Sequence, residues 1–166
     1  MKRIAVALIA PLLAVTGCGD PDSSSGSRLE VPKPKCDEKI YTFIDFDAMR
    51  VWQESSEMNQ QRSGAELRYG CGEWPDNTVR TVADIRAAPT ASHEQAPDTE
   101  ACKSIAAARE KPFAYKSAQA VAGTIAFCVI TSERHVVWFR FLETEPSARQ
   151  PEYPADGYKL LAHRLD

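Results

Sequence analysis

The sequence predicts an α+β domain that is mainly β: a small antiparallel sheet with one short helix, disulfide-stapled, after a signal peptide and a flexible tether. Three observations carry this. Lys39 to Phe46 reads KIYTFIDF, with β-branched and aromatic residues in alternation. Thr124 to Thr131 is apolar on both faces and is followed, across Ser132-Glu133-Arg134, by a second apolar run, Val136 to Leu142. Only one stretch, opened by Asp98 or Thr99, carries a helical stripe.

The N-terminus has the layout of an export leader. Lys2 and Arg3 precede a nearly unbroken apolar run from Ile4 to Val15. Twelve helical residues reach about 18 Å, against roughly 30 Å of bilayer hydrocarbon, so the run is too short for a permanent span and suits a signal peptide. It ends in Val15-Thr16-Gly17-Cys18, which resembles the lipobox of bacterial lipoproteins: an aliphatic residue, two small ones, then cysteine. The resemblance implies cleavage before Cys18 and a diacylglyceryl group on its sulfur, placing the chain on the outer face of a bacterial cell membrane. Residues 1–17 are then the signal peptide and residues 18–35 a lipidated tether. Gly19 to Lys35 reads GDPDSSSGSRLEVPKPK, too polar and too rich in Gly, Ser and Pro for a core.

A single globular domain is expected over residues 36–166. Lys39 to Phe46 is its first strand, and Met49 to Gln53 a second short one, with helix as the competing reading. Ser55 to Ser63 is polar loop. Ala65 to Tyr69 and Thr78 to Ile85 read as strands on either side of a Gly/Pro-rich loop, residues 70–77. Ala87 to Pro97 holds two prolines and no period, and reads as loop. Asp98 or Thr99 caps a helix running to about Arg109, with Glu100 in its first turn and Cys102 on its apolar stripe. Lys111-Pro112 ends it. Thr124 to Thr131 is a central strand buried on both sides, and Val136 to Leu142 its hairpin partner. Pro146, Pro151 and Pro154 mark an extended connection. Tyr158 to Leu165 adds a last edge strand.

Five cysteines are present: Cys18, Cys36, Cys71, Cys102 and Cys128. With Cys18 assigned to the lipid, four remain for two bridges, and three pairings are open. Residues 123–140 resemble a recurring segment of exported actinobacterial proteins, carried by Gly123, Cys128, Val129, Thr131, Ser132, Glu133 and Arg134. Ile44-Asp45-Phe46-Asp47 and the helical Cys102 fit the same layout. That family usually has a glycine between the Glu and Arg of the turn, and this chain has none. The resemblance implies export, a small sheet and Cys102 paired with Cys128, leaving Cys36 with Cys71. It implies no activity.

Composition excludes some functions. Apolar residues make up 43% and the formal net charge is −3. Loss of the leader removes Lys2 and Arg3 and no acid, so the mature chain is more acidic still. No basic run exceeds two residues, which argues against nucleic acid. Asp45 and Asp47 form a D-x-D pair able to face one cation, though strand-end carboxylates holding a turn are the simpler explanation. His93, His135 and His163 lack a second ligand at metal spacing, so no metal is expected. There is no Gly-x-Ser-x-Gly elbow, no phosphate loop and no free thiolate among paired cysteines, and no cofactor is expected. Trp74, beside Cys71 on a Gly/Pro loop, is the candidate partner contact, with packing over the core as its alternative. Trp138 reads as core, and Trp52 is a further aromatic of the strand region. The expected function is a membrane-anchored envelope lipoprotein with a small, non-enzymatic ligand- or partner-binding domain. The alternative is a secreted hydrolase or wall-modifying enzyme using carboxylates such as Asp45, Asp47 or Glu133.

Overall fold

Alternation along a few apolar strands determines the architecture. A computed structural model describes residues 26–55, 64–70, 78–82, 84–108, 114–115, 118–151 and 153–166. The strands are β1 (Ser27–Pro32), β2 (Tyr41–Asp45), β3 (Arg50–Glu54), β4 (Leu67–Gly70), β5 (Thr78–Thr81), β6 (Arg86–Pro89), β7 (Ala114–Tyr115), β8 (Ala126–Ile130), β9 (Val136–Leu142) and β10 (Gly157–Arg164). The helices are α1 (Thr99–Ala107) and the one-turn α2 (Ala118–Val121). The strands form two antiparallel sheets, ordered β1-β10-β9-β8-β6 and β3-β2-β4-β5-β7.

The main core draws on both sheets. Phe127, Val129, Val137, Phe139, Phe141, Tyr158 and Leu160 come from the first, and Ile44, Leu67, Tyr69 and Val79 from the second. Phe139 stacks between Phe46 and Phe127, with ring centroids at 4.8 and 5.3 Å. Each such side chain contributes about 1.5–3 kcal/mol by leaving water. The alternate residues of β8 and β9 point the other way. Ala126, Cys128, Val136 and Trp138 form a second cluster with Cys102 and Ala106 of α1. Thus β8 is buried on both faces, as its continuous apolar run predicts.

Helix α1 begins where expected. Asp98 is the N-cap, its Oδ1 accepting from Ala101 N at 2.8 Å, and Glu100 lies in the first turn. The Cys102–Cys128 disulfide ties the helix to β8. Cys36 is also disulfide-bonded, and its expected partner Cys71 lies outside the described residues, as do Cys18, Trp74 and the expected signal peptide, residues 1–17.

The β8–β9 hairpin turns without a glycine. Arg134 N donates to Thr131 O at 3.0 Å, and Thr131 N to His135 O at 2.9 Å. Arg134 itself takes the left-handed position, with φ 72°. Gly123 has φ 69°, and a Cβ there would lie 2.5 Å from Glu143 N, so the position requires glycine.

Three expectations are corrected. The expected tether, 18–35, is overturned at Ser27–Pro32, which is β1, with Leu29 and Val31 buried between exposed neighbours. Its period-two pattern is short and bracketed by polar residues, so composition conceals it. As a consequence β10 is not an edge strand, because β1 covers it from Ser27↔Ala162 to Pro32↔Gly157. Residues 86–89 are strand rather than loop. Ala87 and Ala88 are buried, and Pro89 is tolerated because β6 is the sheet edge. The expected mainly-β architecture is present, antiparallel throughout, with the short helix α1 and the Cys102–Cys128 staple, its strands divided between two small sheets.

Candidate functional site

At one end of the molecule, the turn after β2, the start of β4, the β8–β9 turn and the C-terminus converge. The turn after β2 is held by Asp45, whose Oδ1 accepts from Ala48 N at 2.8 Å and whose Oδ2 accepts from Arg50 Nε at 2.9 Å. Asp47 sits within that turn and reaches the first sheet: its Oδ2 accepts from Ser132 Oγ and from Glu133 N, each at 3.1 Å. Arg164 Nη2 donates to Asp47 O at 2.7 Å, adding the end of β10.

Glu66 lies beneath these groups with no exposed surface. Its Oε2 accepts from Phe46 N at 2.7 Å, and its Oε1 meets Ser132 N at 3.1 Å and Ser132 Oγ at 3.0 Å. One carboxyl group therefore joins the β2 turn to the β8–β9 turn, and so one sheet to the other. Burial pushes the Glu66 carboxyl up to about 7, against the lowering effect of the backbone donors at Ser132 and Phe46; the Asp47 charge adds to the rise. The hydroxyl of Ser132 has one hydrogen and two carboxyl neighbours. A proton on Glu66 satisfies both contacts: Glu66 donates to Ser132 Oγ, which donates to Asp47 Oδ2.

Two sets of donor atoms lie within 4.8 Å of one another, Asp45 with Asp47 and Glu66, and Asp47 with Glu133 and His135. In the sequence Asp45 and Asp47 stand apart from further acids, and here the structure differs. Glu66 does not stand out among the sequence candidates, although an acid inside the strand-like run Ala65 to Tyr69 is its signal. Both oxygens of Asp45 and of Glu66 already make hydrogen bonds, so the cluster works foremost as a clamp between turns. Among the described residues, Asp47 Oδ1 is buried without a hydrogen-bond partner.

His135 lies at the rim, with Nδ1 3.3 Å from Asp166 Oδ1 and Nε2 4.0 Å from Glu133 Oε2. Among the three histidines it alone joins the carboxylates. His163 packs 5.4 Å from the Trp138 ring, where burial and then Arg140 lower its pKa. His93 is half-buried in the loop before α1. Trp138 is core, 2% exposed. Trp52, half-buried on the edge strand β3, stacks on Phe43 at 5.5 Å and carries the Arg50 guanidinium over its ring at 4.9 Å.

No family model, curated protein or solved structure matches the chain. Among the described residues, no helix is long and apolar enough to cross a membrane.

Proposed function

We infer that this chain is a lipoprotein held by an acylated Cys18 on the outer face of a bacterial cell membrane, and that its domain binds a small ligand or an envelope partner without catalysing a reaction. The observation that carries the reading is the buried Cys102–Cys128 bridge, both residues 0% exposed. Such bridges persist in oxidising compartments, which a bacterial chain reaches by export. The leader supplies the route and the lipobox-like end supplies the nucleophilic sulfur. With β1 beginning at Ser27, about eight residues separate Cys18 from the domain, a reach of at most roughly 28 Å. Two acyl chains make such an anchor stable.

The engaged oxygens of Asp45 and Glu66 favour a binding module over an enzyme. The hydrolase reading keeps one supporting feature, a Glu66 carboxyl that burial raises to about 7 beside Asp47, a pairing of the acid–base kind. Against it, Glu66 has no exposed surface through which to touch a substrate.

Membrane fractionation tests the reading. The wild-type chain should sediment with membranes and leave them only in detergent, while Cys18→Ala should lose that behaviour. Release of the wild-type chain by a salt wash would contradict anchoring. Affinity capture of the acylated protein, against the Cys18→Ala control, then seeks the partner.

A further inference from the structure

Beside the carboxylate clamp, a groove of about 680 Å³ runs between α1, β6 and the β8–β9 turn. That volume lies in the range of small-molecule sites. Its apolar wall is Ile85, Ile130 and Val136; its cationic rim is Arg86, Lys103 and Arg134, with Asp84 the single acid. The rim thus carries an excess of positive charge on a chain whose formal net charge is −3. Neither Arg86 nor Arg134 has a carboxylate within ion-pair distance among the described residues. Lys103 meets Glu100 at 3.8 Å with both side chains exposed, a contact worth little.

The backbone adds an independent observation. Four non-glycine residues have positive φ among those described, and two of them line this groove, Asp84 at 63° and Arg134 at 72°. Left-handed backbone comes readily to Asp84 but is costly for a long side chain such as Arg134, and such strain gathers at functional positions. At Arg134 a glycine would relieve it, yet the chain keeps a guanidinium at the rim.

We propose that this groove binds a small amphiphilic anion, its phosphate or carboxylate head held by Arg86, Lys103 and Arg134 and its short apolar tail lying on Ile85, Ile130 and Val136. The proposal rests on the binding-module reading and names its ligand class. It does not depend on the lipid anchor.

Calorimetric titration of the chain from Gly19 onward, which retains every described residue, tests it with octyl phosphate, octanoate, inorganic phosphate and the neutral octyl glucoside. Saturable binding of octyl phosphate or octanoate is expected, about tenfold tighter than inorganic phosphate or octyl glucoside. Arg134→Gly keeps the turn geometry while deleting the charge, and Arg86→Gln deletes the other; each should weaken binding about fivefold. Circular dichroism checks that both variants remain folded. Equal affinity for octyl glucoside, undiminished affinity in both variants, or no saturable binding of either anionic amphiphile would overturn the proposal. A negative titration alongside an acylated Cys18 would sink the groove and leave the anchor standing.

Discussion

Arg134 and Glu66 each hold a state that water would not favour, and each therefore makes a measurable prediction. The left-handed φ of Arg134 costs about 1–2 kcal/mol relative to a relaxed residue. Arg134→Gly should raise stability by about 1 kcal/mol, read from the urea midpoint, since glycine adopts this conformation freely but loses more chain entropy on folding. For Glu66, burial raises the folded carboxyl from 4.5 to about 7, so the folded state holds the proton more tightly than the unfolded chain. Its contribution is fully present below pH 4.5 and is lost as pH rises to about 7, with an upper bound of about 3 kcal/mol. Glu66→Gln should flatten the stability profile across that window, even though its amide cannot accept from both Ser132 and Phe46 and the baseline falls. An unchanged slope in Glu66→Gln would show that the titration lies elsewhere.

At the scale of elements, those whose burial shows in their own residues are legible in the sequence, and those defined by a distant partner are not. Asp98 and Glu100 announce α1, and the two apolar runs announce β8 and β9, because capping and alternation are local properties. β6 escapes a sequence reading because Ala87 and Ala88 have no strand preference, and only their register against β8 makes them a strand. β1 escapes it because Leu29 and Val31 are embedded in tether-like composition. The clamp is half legible for the same reason: Asp45 and Asp47 are two positions apart, whereas Glu66, Ser132 and Arg164 arrive from elsewhere in the chain. β1 makes its own prediction. Removing residues through Pro32 uncovers β10 along Tyr158, Leu160 and Ala162. The melting temperature should fall by about 10 °C and the chain should self-associate, as an exposed apolar edge does. A shorter deletion, ending at Ser25, leaves β1 whole and should change neither.

At the scale of the whole molecule, the antiparallel order of the first sheet puts the start of β1 beside the end of β10, through Ser27↔Ala162. Neighbouring pairs carry the same end across the sheet, from Arg164↔Val137 to Ile130↔Val136 and Arg86↔Ile130. The chain therefore enters the domain at the end that holds the carboxylate clamp and the cationic groove. Anchoring at Cys18 would keep that end toward the membrane. The same domain relies on its staple. The Cys102–Cys128 bridge closes a sequence separation of 26 residues, worth about 3–4 kcal/mol by loop-closure entropy. Cys102→Ala with Cys128→Ala should lower stability by about that amount in a urea titration, and a loss under about 1 kcal/mol would show that packing of α1 on β8 suffices alone.

Intact-mass analysis of the mature polypeptide from membranes decides whether the anchor exists. The expected product begins at Cys18 and carries a diacylglyceryl group on that residue. A mature chain that begins elsewhere, or one with an unmodified Cys18, would rule the anchor out.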